Sequence, residues 1–316
     1  MKYNLGILRW SLMAMFTIAG LVFLFIWLLP DEHGAYPVAL RRLVGQVFQE
    51  GLTPEQASEK YVKSHFRILI VPGHDQEYSG AEFGPLKEAD LNLALAKQLV
   101  DYLAQDSKLE ILTTRDLATG NYRPEFASYF VNERAAINSF RARLRAQFLA
   151  LIQSGVAEKK VIVSHNFARD EVAIRLYGIN KWANEQGIDL VLHLHFNDDA
   201  SRSRARSGDY RGFAIYIPEK QLPAHRLSRD LGEAIKQKLL LASPVSNLPQ
   251  EAGGMIEDQE LIAVGANGSR ESASLLVEFG YIYEPQFLNS NLRSAALANL
   301  ARLTAEGIRD YFASSR

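Results

Sequence analysis

Four polar side chains lie at positions where a parallel sheet commonly carries its chemistry. Two histidines and one glutamate lie at or near the ends of apolar runs that predict buried strands, and another glutamate lies in the first turn of a helix. These residues are His74, Glu88, His195 and Glu278. Because the carboxyl ends of parallel strands lie side by side along one edge of a sheet, we expect the four side chains to converge.

This set of side chains fits the chemistry of a zinc hydrolase. Two histidines and one glutamate are a known ligand set of catalytic zinc, with the fourth position left for water. One carboxylate and two neutral imidazoles leave the site net positive, which lowers the pKa of the bound water toward about 7. A second carboxylate that is not a ligand would take the proton of that water and pass it to a leaving amine. Glu278 is placed for this role.

Each candidate also has a structural explanation, and other histidines compete with them. A lone histidine at a strand end is usually a hydrogen-bonded structural residue, and a glutamate in a first helical turn interacts with the helix dipole. His193 shares a strand face with His195. It either supports the metal ligands without binding the metal or is itself the ligand in place of His195. We prefer His195 because it is nearer to the end of the strand. His165 follows another short apolar run, whereas His33 and His225 are expected at the surface.

The composition bounds the class of protein. The 316 residues are 47% hydrophobic, and 35 Lys and Arg balance 36 Asp and Glu. This near-neutral balance argues against a nucleic-acid partner, which usually requires a basic excess. The absence of cysteine excludes disulfides and thiolate metal sites, so a tight metal site must use histidine and carboxylate.

The order of the predicted elements indicates an α/β fold. Runs that predict strands alternate with stretches of helical periodicity, so we expect a single twisted, mostly parallel sheet covered by helices on both faces. Strands are predicted at 68–71, 109–114, 161–164, 189–196, 213–217 and 274–279. Helices are predicted at 88–103, 126–153, 170–186, 224–241 and 291–312.

The N-terminal region predicts a membrane anchor. Residues 11–29 are almost wholly apolar, and a helix of this length is ~28 Å long, close to the ~30 Å of the hydrocarbon core. We expect residues 1–30 to be an uncleaved single-pass anchor of the cell membrane rather than a signal peptide, because no Ala-x-Ala site follows. Basic residues before the helix and acidic ones after it favour an extracytoplasmic position for the rest of the chain. Residues 31–66 are predicted to be a helical stalk or linker.

Five short motifs follow one another along the rest of the chain. They read VPGH (71–74), KEADLNLA (87–94), TTRD (113–116), HLHFN (193–197) and LLVEFGYI (275–282). In this order they resemble the zinc-dependent N-acetylmuramoyl-L-alanine amidases of the amidase-3 type. The resemblance spans about residues 67–313, so residues 67–316 would form the catalytic domain.

The resemblance implies roles for the four polar residues. His74, Glu88 and His195 would bind Zn²⁺, and Glu278 would be the catalytic carboxylate. The protein would then be a membrane-anchored hydrolase that cleaves the amide between N-acetylmuramic acid and L-alanine in peptidoglycan. Two alternatives stay open: a zinc amidohydrolase or carboxypeptidase that acts on another extracellular amide, and a non-catalytic wall-binding scaffold.

Two departures from the family pattern stand out. His193 replaces the usual serine two places before the third ligand. The region at about 117–170 is an insertion, and it contains a predicted long helix. Three roles stay open for it: a lid, an arm that docks a partner, or only an added layer. Some relatives carry an inserted helix that blocks the active site until an activator binds, so we hypothesise a protein activator here. Deletion of residues 120–168 should then raise the activity.

Overall fold

The computed structural model describes residues 51–160, 168–203, 206–264 and 272–314. The predicted anchor at 11–29, His33, and the predicted strand at 161–164 with His165 lie outside these ranges. Within the described ranges, no helix has both the length and the apolar character that are needed to cross a membrane.

Six of the described strands form one sheet. In chain order the strands are β1 (Phe66–Pro72), β2 (Glu82–Phe83), β3 (Leu86–Lys87), β4 (Leu109–Thr113), β5 (Leu190–Asn197), β6 (Ala214–Pro218), β7 (Met255–Asp258) and β8 (Ala273–Tyr281). The order in the sheet is β4-β1-β5-β8-β6-β7, and every neighbouring pair is parallel except β6 and β8. The predicted mostly parallel sheet is therefore confirmed. Strands β2 and β3 form a separate small hairpin.

Helices cover both faces of the sheet, as predicted. In chain order they are α1 (Pro54–Lys63), α2 (Glu88–Leu103), α3 (Pro124–Asn132), α4 (Arg134–Gln153), α5 (Asp170–Gln186), α6 (His225–Leu239), α7 (Pro285–Leu288) and α8 (Ser290–Ser314). The larger apolar core lies between one face and helices α2, α6 and α8. A smaller core joins the other face to α3 and α5.

The alternation of strand β5 decides which side chains enter which core. Successive residues of a strand point to opposite faces. Leu192 and Leu194 therefore belong to the larger core, whereas Val191 belongs to the smaller one. His193 and His195 share the face of Val191, so the polar residues of this strand lie on the side covered by α3 and α5.

Some predicted elements differ from the structure. The predicted single helix at 126–153 was wrong, because Glu133 (φ −97°, ψ 11°) separates α3 from α4. Strand β7 was missed. Its four residues alternate between buried and half-buried positions at the edge of the sheet, and two of them are acidic, so the apolar signal is weak.

Helix α1 lies within the segment predicted to be a stalk or linker. Thr53 caps it, and Pro54 occupies the first turn, which favours a helix start. Its Tyr61 ring stacks on Phe312 of α8 with centroids 4.0 Å apart. The described part of the 31–66 segment is therefore packed against the sheet domain rather than free.

Candidate metal centre

His74, Glu88 and His195 converge at the carboxyl ends of β1 and β5. One ligand atom of each lies within 4.8 Å of the others. Glu88 bridges the two rings, since its Oε2 is 3.2 Å from His74 Nε2 and its Oε1 is 2.8 Å from His195 Nδ1. Two imidazoles and one carboxylate in this arrangement are a donor set that suits Zn²⁺.

The Glu88 carboxylate is fixed by the backbone around it. It is 4% exposed and opens helix α2. The amide of Ala81 donates to Oε2 at 2.9 Å, and the amide of Phe196 donates to Oε1 at 3.2 Å. Burial raises the pKa of Glu88, but the charges and hydrogen bonds of the two histidines outweigh burial and hold this pKa well below its ordinary value. Glu88 is therefore ionised and negative at neutral pH.

Two glycines leave the space that this cluster fills. A Cβ on Gly73 would lie 2.3 Å from His195 Cε1, and a Cβ on Gly80 would lie 2.3 Å from Glu88 Oε2. His74 itself has a positive φ of 60°, which is unusual for a residue with a side chain. The backbone between β1 and α2 is thus shaped closely around the three polar side chains.

The histidines differ in their affinity for protons. Burial lowers the pKa of His74, but Glu88 outweighs burial, and the net shift is upward. The pKa of His195 is lowered because burial outweighs its hydrogen bond with Glu88. Burial also lowers the pKa of His193 to about 3. Neither ring nitrogen of His193 has a hydrogen-bond partner among the described residues, and His195 rather than His193 meets Glu88.

Glu278 lies beside His195 on the neighbouring strand. The two residues are direct partners in the parallel pairing of β5 and β8, so their side chains share one face. Burial, followed by the charges of Glu88 and Glu251, raises the pKa of Glu278 well above its ordinary value. Within the described ranges its Oε2 accepts no hydrogen bond. Glu278 is therefore a basic carboxylate next to the cluster.

The structure adds polar residues that the sequence analysis did not select. Glu251 is 1% exposed and accepts hydrogen bonds from Tyr216 Oη at 2.7 Å and from Asn197 Nδ2 at 2.9 Å. Arg115 is 2% exposed, and its positive charge lowers the pKa of His74 and of His195. Arg115 belongs to the TTRD motif, which was a signal for it, whereas no motif contains Glu251.

His225 was wrongly expected at the surface. Its side chain is 11% exposed, and its Nδ1 lies 2.8 Å from the carbonyl oxygen of Pro218. It starts helix α6, remote in the fold from the carboxyl ends of β1 and β5, and takes no part in the cluster.

The sequence and the fold are both similar to those of known proteins. The sequence matches the amidase-3 family, described as N-acetylmuramoyl-L-alanine amidase, over residues 68–310. The fold is similar to the CwlD amidase from Clostridioides difficile, solved in complex with the GerS lipoprotein, with a TM-score of 0.50, 13% identity and coverage of 79% of this chain and 100% of that chain. It is also similar to the Ami1 amidase from Mycobacterium smegmatis, with a TM-score of 0.50, 12% identity and coverage of 79% and 97%. A comparison with curated proteins finds no match.

Proposed function

Because the chain belongs to the N-acetylmuramoyl-L-alanine amidases of the amidase-3 family, and is thus a peptidoglycan amidase, we propose that it works as a zinc hydrolase at the cluster described above. His74, Glu88 and His195 would hold Zn²⁺, and Glu278 would be the catalytic carboxylate. The bond cleaved is the amide between the lactyl group of N-acetylmuramic acid and L-alanine. The bridging of two histidines by one buried, ionised glutamate is the observation that supports this proposal most strongly.

The residues of the chain divide the work of hydrolysis. When bound, zinc supplies a Lewis acid that polarises the scissile carbonyl and makes water a nucleophile near neutral pH. Glu278 accepts a proton from the attacking water as the carbon–oxygen bond forms. It then returns that proton to the nitrogen of L-alanine as the carbon–nitrogen bond breaks. Its pairing with His195 on the neighbouring strand, on the same face of the sheet, supports this role.

Two substitutions test the assignment of roles. Glu278→Ala is expected to lower turnover of purified wall sacculi by at least about 100-fold, while the protein keeps its zinc. His195→Ala is expected to lose both zinc and turnover, because it removes one of three ligands. Zinc content is measured by atomic absorption, and turnover by the release of new amino termini.

His225→Ala is the matched control, since it removes a half-buried histidine that lies outside the cluster. It should keep both zinc and turnover. Loss of zinc from Glu278→Ala would overturn the division of roles. Faster hydrolysis of small acyl-amino acids than of sacculi would favour a different amidohydrolase.

We also propose that residues 1–30 anchor the enzyme in the cell membrane with the catalytic domain outside. The apolar run at 11–29 and the position of peptidoglycan beyond the membrane support this proposal.

A protein activator that acts through the insertion at about 117–170 is a further part of the proposal. The solved CwlD structure contains a lipoprotein partner. In this chain the described insertion helices α3 and α4 pack against α5. The side chain of His74 stays 33% exposed, so restraint by the described part of the insertion would act through α5 rather than by covering the metal ligands.

A further inference from the structure

The loop between His74 and Glu88 joins two of the proposed metal ligands, and a side chain from a distant helix holds it. Arg175 lies in the second turn of α5. Its Nη1 donates to Asp75 Oδ2 at 2.6 Å, and its Nη2 donates to Glu77 Oε2 at 2.6 Å. Charged hydrogen bonds from both terminal nitrogens of a guanidinium fix the direction as well as the distance of the two carboxylates. Helix α5 therefore binds the loop through two carboxylates.

Asp75 also forms the turn that directly follows His74, one of the proposed ligands. While Oδ2 of Asp75 accepts from Arg175, Oδ1 accepts from the amides of Glu77 at 2.9 Å and Tyr78 at 2.8 Å. The Asp75 amide donates in turn to the Tyr78 carbonyl at 2.9 Å. His74 precedes this turn with a φ of 60°. Such a conformation persists when the surrounding structure holds it in place.

The contact with Asp75 is partly shielded from water, whereas the Glu77 side chain is 60% exposed. The Arg175 side chain is 22% exposed and that of Asp75 is 12% exposed. The guanidinium also lies over the Tyr78 ring at 5.5 Å and over the Tyr122 ring at 5.6 Å. Two aromatic faces limit the rotamers of the arginine, and burial weakens screening by salt, so this ion pair restrains the loop more than an exposed pair would.

We propose that Arg175 is a positioning residue for the metal centre. By holding Asp75 and Glu77, it keeps the imidazole of His74 directed at Glu88. The inference rests on the proposed function in one respect, namely that His74, Glu88 and His195 bind zinc. It assigns to α5, which lies beyond the insertion in the chain, a direct effect on metal affinity.

The test measures metal binding by the full-length protein in detergent. Zinc affinity is obtained by competition with a chromophoric chelator, and the ligand geometry from the visible absorption of the Co²⁺-loaded protein. Arg175→Ala should weaken zinc binding by about tenfold and change the Co²⁺ spectrum. Arg175→Lys should bind zinc more tightly than Arg175→Ala, because it keeps the positive charge. It should bind zinc less tightly than the wild type, because an ammonium does not bridge two carboxylates as a guanidinium does.

A second variant approaches the same contact from the loop. Asp75→Asn keeps the side-chain oxygen that forms the turn but removes the charge that faces Arg175. It should weaken zinc binding, and the double variant should be no worse than Arg175→Ala alone, since Arg175→Ala already removes the contact with Asp75 together with that to Glu77. If Arg175→Ala does not fold, the single variants Asp75→Asn and Arg175→Lys still test the inference.

Arg134→Ala is the matched control. Arg134 of helix α4 donates from its Nη1 to Oε2 of Glu171, on helix α5, at 2.9 Å, but it does not contact the loop. Its zinc affinity and Co²⁺ spectrum should equal those of the wild type. A folded Arg175→Ala protein with wild-type affinity and spectrum would overturn the inference, as would an equal loss in the control. A wild-type protein that binds no zinc would instead overturn the proposed function, and the inference with it.

Discussion

Glu88, which is buried, and Glu278, which is half-buried, are glutamates of one site whose pKa values shift in opposite directions. Burial raises the pKa of each. The charges and hydrogen bonds of two histidines reverse this effect for Glu88, whereas the negative charges of Glu88 and Glu251 add to it for Glu278. Pairs of titratable groups whose environments separate their pKa values commonly divide acid–base roles in this way. This difference supports the proposed roles of Glu88 as a ligand and of Glu278 as a proton acceptor.

The raised pKa of Glu278 predicts a stability cost that depends on pH. In the metal-free protein, the unfolded chain loses this proton near the ordinary value of 4.5, whereas the folded chain keeps it to higher pH. Folding therefore becomes less favourable as the pH rises above that value, up to the pKa of the folded state. Glu278→Gln should accordingly stabilise the metal-free protein near pH 7, and the gain should shrink toward pH 4.

Urea unfolding at several pH values measures this difference. The exposed Glu82→Gln variant controls for the loss of one negative charge. A Glu278→Gln protein that is less stable than the wild type near neutrality, or a gain that does not vary with pH, would contradict the expectation.

The same residues show what a sequence can indicate about a site. His74, Glu88 and His195 were predictable as a group because each lies at a strand end or a helix start, and the parallel topology brings such positions together. Glu251 was not predictable. It lies in a short turn before an edge strand, and its charge raises the pKa of Glu278, an effect that only the folded chain creates.

At the scale of elements, the insertion shows the limit of periodicity. Phe126, Phe130, Ile137 and Phe140 are all buried and recur at helical spacing, so the apolar pattern runs on without a break. The backbone nevertheless turns at Glu133, where no proline or glycine announces the change. One continuous pattern thus gave two helices, both of which pack against α5.

Substitution of Phe130 should weaken the packing of this insertion without removing it. It is 8% exposed, and its ring lies 5.1 Å from that of Tyr122. Phe130→Ala should lower the free energy of unfolding by about 3 kcal/mol, because it removes a buried aromatic ring. If the insertion restrains the enzyme, turnover of sacculi per folded molecule should rise in this variant, as it should on deletion of residues 120–168.

The neighbouring Val131→Ala is the control, since Val131 is 74% exposed on the same helix. Its stability should stay within about 0.5 kcal/mol of the wild type, and its rate should not change. Folded Phe130→Ala and deletion proteins that turn over no faster than the wild type would count against a restraining role.

At the scale of the whole molecule, the alternation of strands and helices predicts a mostly parallel sheet but not its order. The register that sets His195 beside Glu278 joins strands that are more than seventy residues apart in sequence. The antiparallel pairing of β6 with β8 likewise depends on contacts between distant segments. Local patterns state which residues form strands, whereas the choice of neighbours is made by the packing of the whole chain.

The position of the enzyme in the cell is the remaining property of the whole molecule, and the proposed anchor makes it testable. A run of apolar residues as long as that at 11–29 is stable in the hydrocarbon core, since its backbone groups can bond within one helix. The full-length protein should therefore sediment with membranes, resist extraction by alkaline carbonate and dissolve in detergent. Residues 51–316 expressed alone should stay in the supernatant and keep zinc, because the described part of the chain carries all three proposed ligands. Protease added to intact spheroplasts should digest the catalytic domain if it lies outside. Full protection from that protease, or release of the full-length protein by carbonate, would contradict an anchored extracytoplasmic enzyme.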